Sequence, residues 1–302
     1  NPQDPNVSSI DLHLSLSRRD RFKNMPTLIC LLLLLLQYLT QTTAKVDKLG
    51  LALMLAVEQN KLSDVTKILD NGGNPSTVNR YSISILHTAV SQGNVDMVKI
   101  LIDRNASINY PLDSRAGHRS GETPLHFAAA DNQEDVATLL LHAGADPTLM
   151  TEGGMTALHL AAGLGNVQFI RQLYPFITEK EVVNMAGDNK YGSQPIHLAA
   201  TSNHPETLKL LLELGASATT MNKRGSYPLH GAAMVGDVEA ALLLINAGAN
   251  KNALNAEGLT PLQIAEKRVL TTDDEVLIKN IAELRLLLSN VDGGDGGNAN
   301  DL

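Results

Sequence analysis

Nine histidines stand in this chain of 302 residues, and five of them, His87, His126, His159, His197 and His230, follow one another at steps of 39, 33, 38 and 33 residues. Histidine is the commonest general acid or base near neutral pH and a frequent zinc ligand. A zinc site needs three or four donors at about 2 Å from one metal, and a catalytic triad needs a nucleophile and an orienting group beside the imidazole. Neither requirement explains a histidine that returns at a nearly fixed interval. The sequence holds no His-Glu-x-x-His, no phosphate-binding loop ending in Gly-Lys-Ser/Thr and no Gly-x-Ser-x-Gly. Gly163-Leu164-Gly165 lacks the third glycine of a dinucleotide fingerprint. The single cysteine, Cys30, excludes a disulfide framework and any cysteine-built zinc site. No catalytic set, no metal and no cofactor is expected, and the chain reads as a non-enzyme.

The elements that carry these histidines are themselves periodic. The phrase Thr123-Pro124-Leu125-His126-Phe127-Ala128-Ala129 returns as Ser84-Ile85-Leu86-His87, Thr156-Ala157-Leu158-His159, Gln194-Pro195-Ile196-His197, Tyr227-Pro228-Leu229-His230 and Thr260-Pro261-Leu262-Gln263. A degenerate first copy is Leu51-Ala52-Leu53-Met54. Eighteen residues after Met54, His87, His126, His197 and His230 stand Gly72, Asn105, Gly144, Gly215 and Gly248, each closing an apolar run. Proline in the first turn of a helix wastes no donor, and the residue before it can cap the helix. Glycine or asparagine just past a helix supplies the left-handed residue that ends it. Each unit is therefore expected to be a turn, a short helix, a tight connection, a second helix and a stop. The paired alanines (Ala128-Ala129, Ala161-Ala162, Ala199-Ala200, Ala232-Ala233) leave room for neighbouring helices to approach closely.

With these motifs the chain resembles the ankyrin-repeat family, whose unit is about 33 residues with a Thr-Pro-Leu-His-x-Ala signature. The resemblance implies an all-α solenoid of about seven helix-turn-helix units with β-hairpin-like finger loops. The units are placed near 48–80, 81–119, 120–152, 153–190, 191–223, 224–256 and 257–290. It also implies that the signature histidines are structural, bonding locally and tying each turn to its neighbour. Relatives bind proteins through finger tips and the inner faces of the first helices. Carried onto this sequence, the partner-binding candidates are Arg80, Tyr81, Arg119, Lys190, Tyr191, Lys223, Arg224 and Met234. Tyr and Arg dominate binding energetics, so Tyr81, Tyr191 and Arg224 lead that set.

Two steps are long. The first insertion builds an extended finger from Pro111 to Ser120, and the second puts Ile177 where a stop is expected. Insertions in such arrays map to loops on one face, often the binding face. The last unit is atypical, as a cap should be, and its second helix is expected to open with a capping box at Thr272-Asp273-Asp274-Glu275. A formal net charge of −8 and the absence of Trp argue against nucleic acid as a partner. Another protein, bound by a monomer, is expected instead.

The N-terminal part reads as an address. Residues 1–24 form an upstream extension with no sustained period, and 25–44 read as a secretory signal peptide. Its apolar run Leu28–Leu36 falls short of the roughly 20 residues that a spanning helix needs. Small residues at Thr42 and Ala44 precede the expected cleavage before Lys45. The expected product is a secreted, lumenal or periplasmic repeat domain over 45–290, not membrane-bound once the signal is cleaved, with a flexible tail at 291–302. The alternative is a membrane-anchored or cytosolic adaptor that keeps the leucine run. Export through a glycosylating pathway would make Asn105, in Asn105-Ala106-Ser107, a candidate N-glycosylation acceptor.

Overall fold

A computed structural model of the chain describes residues 48–177, 180–187 and 191–289. The upstream extension, the signal peptide, Lys190, the stop at Asn290 and the tail lie outside the described residues. Leu53 onward forms one compact unit, and of the part before it residues 48–52 are described and helical.

The described residues fold into helix pairs joined by turns, with no named β-strand. The helices are α1 (48–58) and α2 (Leu62–Asp70), α3 (Ile85–Ser91) and α4 (Val95–Asp103), α5 (Pro124–Ala130) and α6 (Glu134–His142). They continue with α7 (Ala157–Leu164) and α8 (Val167–Leu173), α9 (Pro195–Thr201) and α10 (Pro205–Glu213), α11 (Pro228–Val235) and α12 (Val238–Asn246), and α13 (Pro261–Val269) and α14 (Glu275–Ser289). The odd-numbered helices from α3 to α13 pack side by side as an inner row, and the even-numbered helices from α2 to α14 form an outer row. This is the solenoid that the repeat implies.

The packing follows from the phrase. The eight alanines of the four Ala-Ala pairs are fully buried, so the inner row is held at close range by side chains of one carbon. Leu86, Leu125, Leu158, Ile196 and Leu229, all at the position before the histidine, belong to one continuous apolar cluster with Leu140, Phe169, Leu211 and Leu244 of the outer row. No single pair could bury its own apolar stripe, and stacking makes the core continuous.

The stops obey backbone sterics. Gly72, Asn105, Gly144, Gly215 and Gly248 all have φ between 63° and 95°, the left-handed region. At the four glycines a Cβ would meet nothing within 4 Å, so the backbone angle alone selects the residue. Asn105 fills the same role because asparagine tolerates this conformation better than other side chains.

The first finger closes on one isolated β-bridge, Val78 to Ser84. Asn79, Asn222 and Asn255 fix the first, fifth and sixth fingers alike. Each Oδ1 accepts two backbone N–H groups, two and four residues on, at 2.9–3.0 Å. Neighbouring fingers join through the backbone: Glu152 N–H donates to the Ser120 carbonyl at 2.9 Å, and Lys223 N–H to that of Tyr191 at 2.8 Å.

Three features differ from expectation or refine it. Asp274, and not Thr272, caps α14: its carboxylate accepts from Val276 and Leu277 N–H, while Thr272 Oγ1 accepts from Asp274 N–H. A helix beginning at Glu275 puts Asp274 at the N-cap, where a carboxylate also meets the positive helix end. The second insertion shortens α8, continues as a 3₁₀ turn over Tyr174–Phe176 and sends Val182 and Val183 into buried positions. It is part of the core wall. The first insertion folds back as well, burying Leu112, with a 3₁₀ segment over Ser114–Arg119. There the Arg115 guanidinium hydrogen-bonds the Asp113 carboxylate and holds its pKa down to about 2.

Candidate functional site: the finger tips and inner-helix face

The five histidines are consumed in holding units together. In units three to six, Nδ1 accepts from the backbone N–H of the residue three positions before it: Thr123, Thr156, Gln194 or Tyr227, at 3.1–3.2 Å. In His87, Nδ1 is 2.8 Å from Ser84 Oγ. A nitrogen that accepts an N–H carries no proton, so these rings are the Nε2–H tautomer. Nε2–H then donates across to a carbonyl of the next finger. His87 reaches Glu122, His126 Met155, His159 Ser193, His197 Ser226 and His230 Leu259, at 3.0–3.2 Å. Burial disfavours the imidazolium and lowers the pKa of His87, His126, His159 and His197 to about 4; it also lowers that of His230. A neutral ring with both nitrogens engaged has no lone pair left for a metal and no site from which to exchange a proton. Among the described residues no group of three or more His, Cys, Asp or Glu side chains is arranged to hold a metal ion.

Gln263 shows the same logic at the last unit. Its Oε1 accepts from Thr260 N–H at 2.9 Å, reproducing the local half of the histidine's work. Among the described residues no further finger follows it, so the cross-unit donor has nothing to reach.

The partner-binding candidates divide. Arg80 and Tyr81 are exposed at the first tip, with the Arg80 guanidinium 4.6 Å from the Tyr81 ring centroid. Arg119 is half-buried and committed to the fold: its Nε donates to Glu122 at 2.7 Å and its guanidinium lies 3.7 Å from the Phe127 ring centroid. Lys223 is exposed and its stem crosses Gly192, where a Cβ would come within 2.5 Å of Cγ. The exposed Arg224 lies over the Tyr191 ring at 3.9 Å.

Tyr191, Arg224 and Met234 are brought together. They line a hollow of about 290 Å³ between the fourth and fifth fingers and the inner helices α9, α11 and α13, floored by Thr201, Gly231 and Ile264. Arg224, Met234 and Ile264 also border a second hollow of about 380 Å³ that runs on past Glu257, Lys267 and Arg268. The two make one groove over the last three units. The position of Thr201 after an Ala-Ala pair marks it as an inner-face residue, but sequence reasoning missed Gly231, Ile264 and the basic end. Gly231 was legible as a departure, because the residue after the signature histidine elsewhere is Thr88, Phe127, Leu160 or Leu198. Arg268 carried no signal of its own.

Asn105 is exposed at its left-handed position, and the hydroxyl of Ser107 in the same tripeptide meets Ser76 Oγ at 2.9 Å.

Comparison with known proteins agrees with this architecture. The family pattern described as Ankyrin repeats (3 copies) matches residues 53–151 and 145–222, and that described as Ankyrin repeat matches 224–256. The chain belongs to the ankyrin-repeat family. It is 31% identical over 166 residues to the human Transient receptor potential cation channel subfamily A member 1, covering 53% of this chain and 14% of that one. It is 34% identical over 131 residues to human B-cell lymphoma 3 protein, covering 43% of this chain and 28% of that one. The chain thus spans a minor part of the length of these relatives. Among solved structures it is similar to the crystal structure of human ASB11 ankyrin repeat domain, with a TM-score of 0.64 and 26% identity over 79% of this chain and 98% of that one.

Proposed function

We propose that this chain is a non-catalytic protein-binding scaffold, working as a monomer that engages one partner protein through its finger tips and inner-helix face. The observation that carries this reading is the division of labour among side chains. Buried histidines, alanines and leucines hold the stack, whereas Tyr191, Arg224 and Met234 converge on an open groove. The relatives support the reading in kind and not in partner, since their names include a cation channel subunit and a lymphoma protein. The test is affinity capture by the full chain beside a variant carrying Tyr191→Ala, Lys223→Ala and Arg224→Ala. A specific partner retained by the first and lost by the second supports the proposal, and equal capture overturns binding through the tips.

Export is the second part of the proposal, resting on the leucine run and the small residues before Lys45. Sequencing the N-terminus of the product from cells gives Lys45 if the signal is cleaved. A product that retains residues 28–36 points instead to an anchored or cytosolic adaptor. In a glycosylating host, export also predicts a glycosidase-sensitive mass at Asn105.

A further inference from the structure

The groove over the last three units has a shape and a charge that can be traced to particular residues. Its shape comes from an exchange of side-chain size between neighbouring units. The fourth residue after the signature histidine of one unit meets the first residue after the histidine of the next. Gly163 faces Leu198 in this way, with a Cβ built on Gly163 coming 3.7 Å from that of Leu198. In the next pair the sizes are reversed. Thr201 faces Gly231, where an added Cβ would come within 2.7 Å of the Thr201 methyl. Thr201 and Gly231 lie in the lining of the hollow of about 290 Å³, together with Met234, Ile264 and Tyr191. Met234 is 44% exposed although it lines this hollow. A space of that size, open to solvent and lined by Pro228, Met234 and Ile264 as well as by Ser193, Asn222 and Ser226, holds one Leu-, Met- or Phe-sized side chain.

The charge comes from the groove's far end. Although the chain carries a net charge of −8, Arg224, Lys267 and Arg268 line the continuation against a single carboxylate, Glu257. Glu257 and Lys267 approach at 3.7 Å with both side chains 70% exposed, a pair of little strength. Among the described residues no carboxylate pairs with Arg224 or Arg268. Two guanidiniums that pair with no carboxylate among the described residues, set beside a hollow lined in part by Met234 and Ile264, are suited to carboxylates, which they bind in bidentate fashion.

We propose that this groove receives an extended acidic segment of the partner protein, with one apolar side chain seated over Gly231 and neighbouring carboxylates on Arg224 and Arg268. The proposal rests on the protein-binding reading above and narrows it to one subsite and one chemistry.

Selection of a random-peptide display library on the full chain, followed by fluorescence anisotropy with the winning peptides, tests it. The expected winners place Asp or Glu within a few residues of a Leu, Met or Phe, and they bind more weakly as salt is raised. The double variant Thr201→Ala/Gly231→Leu fills the hollow while installing the Ala130–Leu160 combination of the third and fourth units. It should weaken binding about tenfold or more. Arg224→Glu/Arg268→Glu, a pair of exposed positions, should weaken it at least as much and decides the matter if the first variant does not fold. Winners without acidic residues, or winners bound equally by the parent and the charge-reversed variant, overturn the subsite. If those winners lose binding on Arg80→Ala/Tyr81→Ala, the scaffold reading survives without this groove. A selection with no winners, alongside capture that recovers no partner, overturns both.

Discussion

Lowering the pH should loosen this stack from inside, well above the range in which carboxylates titrate. His87, His126, His159 and His197 have pKa values lowered to about 4 in the folded chain, because burial opposes their protonation. In the unfolded chain they return to the ordinary value of about 6.5. Between those two values the unfolded state binds more protons, so stability falls as the pH falls and levels off, for these groups, below about 4. From pH 7 to pH 5 the loss is about 2 kcal/mol for each ring and roughly 7 kcal/mol for the four together. That is comparable to the whole stability of an ordinary domain, about 5–15 kcal/mol. The added proton falls on Nδ1, where His126, His159 and His197 accept the cap N–H, so protonation breaks the local bond and leaves the Nε2–H donation to the next finger in place. The chain has no Trp, so the assay is urea unfolding followed by far-ultraviolet circular dichroism at pH 7, 6 and 5, fitted with a nearest-neighbour stacking scheme. The informative variant is His159→Gln, since Gln263 already shows that an amide oxygen can accept from the cap N–H. Its loss between pH 7 and pH 5 should be smaller than that of the parent by about 2 kcal/mol, one titrating ring having been removed. An unchanged pH dependence in this variant, or a parent whose stability is flat from pH 7 to pH 5, refutes the account of the rings as buried and neutral.

Two further substitutions probe the packing. Thr207 Oγ1 is buried with no hydrogen-bond partner, so Thr207→Val, nearly the same shape without the stranded hydroxyl, should raise the urea midpoint by the equivalent of about 1 kcal/mol. Gly121 and Gly144 share left-handed backbone angles, φ +82° and +93°, but an added Cβ would lie 2.6 Å from Glu152 N at the first and touch nothing at the second. Gly144→Ala should therefore cost about 1 kcal/mol and Gly121→Ala at least about twice that, read as the difference between their thermal midpoints.

The parts of the molecule legible in the sequence are those whose cause recurs in every unit. A histidine at each fourth position is visible because one bond to the cap and one to the next finger are needed again at each step. The same holds for the stops, where a left-handed angle admits few residue types, so that Asn105 among glycines still reads correctly. Arg119 was less legible as a site residue: its type and place suggested a tip contact, and only coordinates reveal Glu122 and Phe127 holding it. The asparagines at 79, 222 and 255 keep phase too, each eight residues before His87, His230 or Gln263, but His118 and Thr151 interrupt the series at that position in the third and fourth units.

The two irregular places teach different lessons about what a repeat hides. In the fourth unit the phase is lost for a stretch, yet Asn184 restores it. Its side chain donates to the Gly215 carbonyl at 3.0 Å and accepts from Ser217 N–H at 2.8 Å. Asn109, two units earlier, makes the same pair of bonds to Gly144 and Asp146 at 3.1 and 3.0 Å. Such a link is defined by where two backbones come together and not by its distance along the chain, so spacing alone cannot reveal it. At Gly231 the spacing is intact and the size is wrong for a stack optimised only for packing. Thr201 supplies part of the missing volume with its methyl group, which compensates the floor but leaves the space above open. Leu at 231 fits only once Thr201 is reduced to Ala, the Ala130–Leu160 combination of the third and fourth units, so the two positions must change together to alter the lining of the hollow.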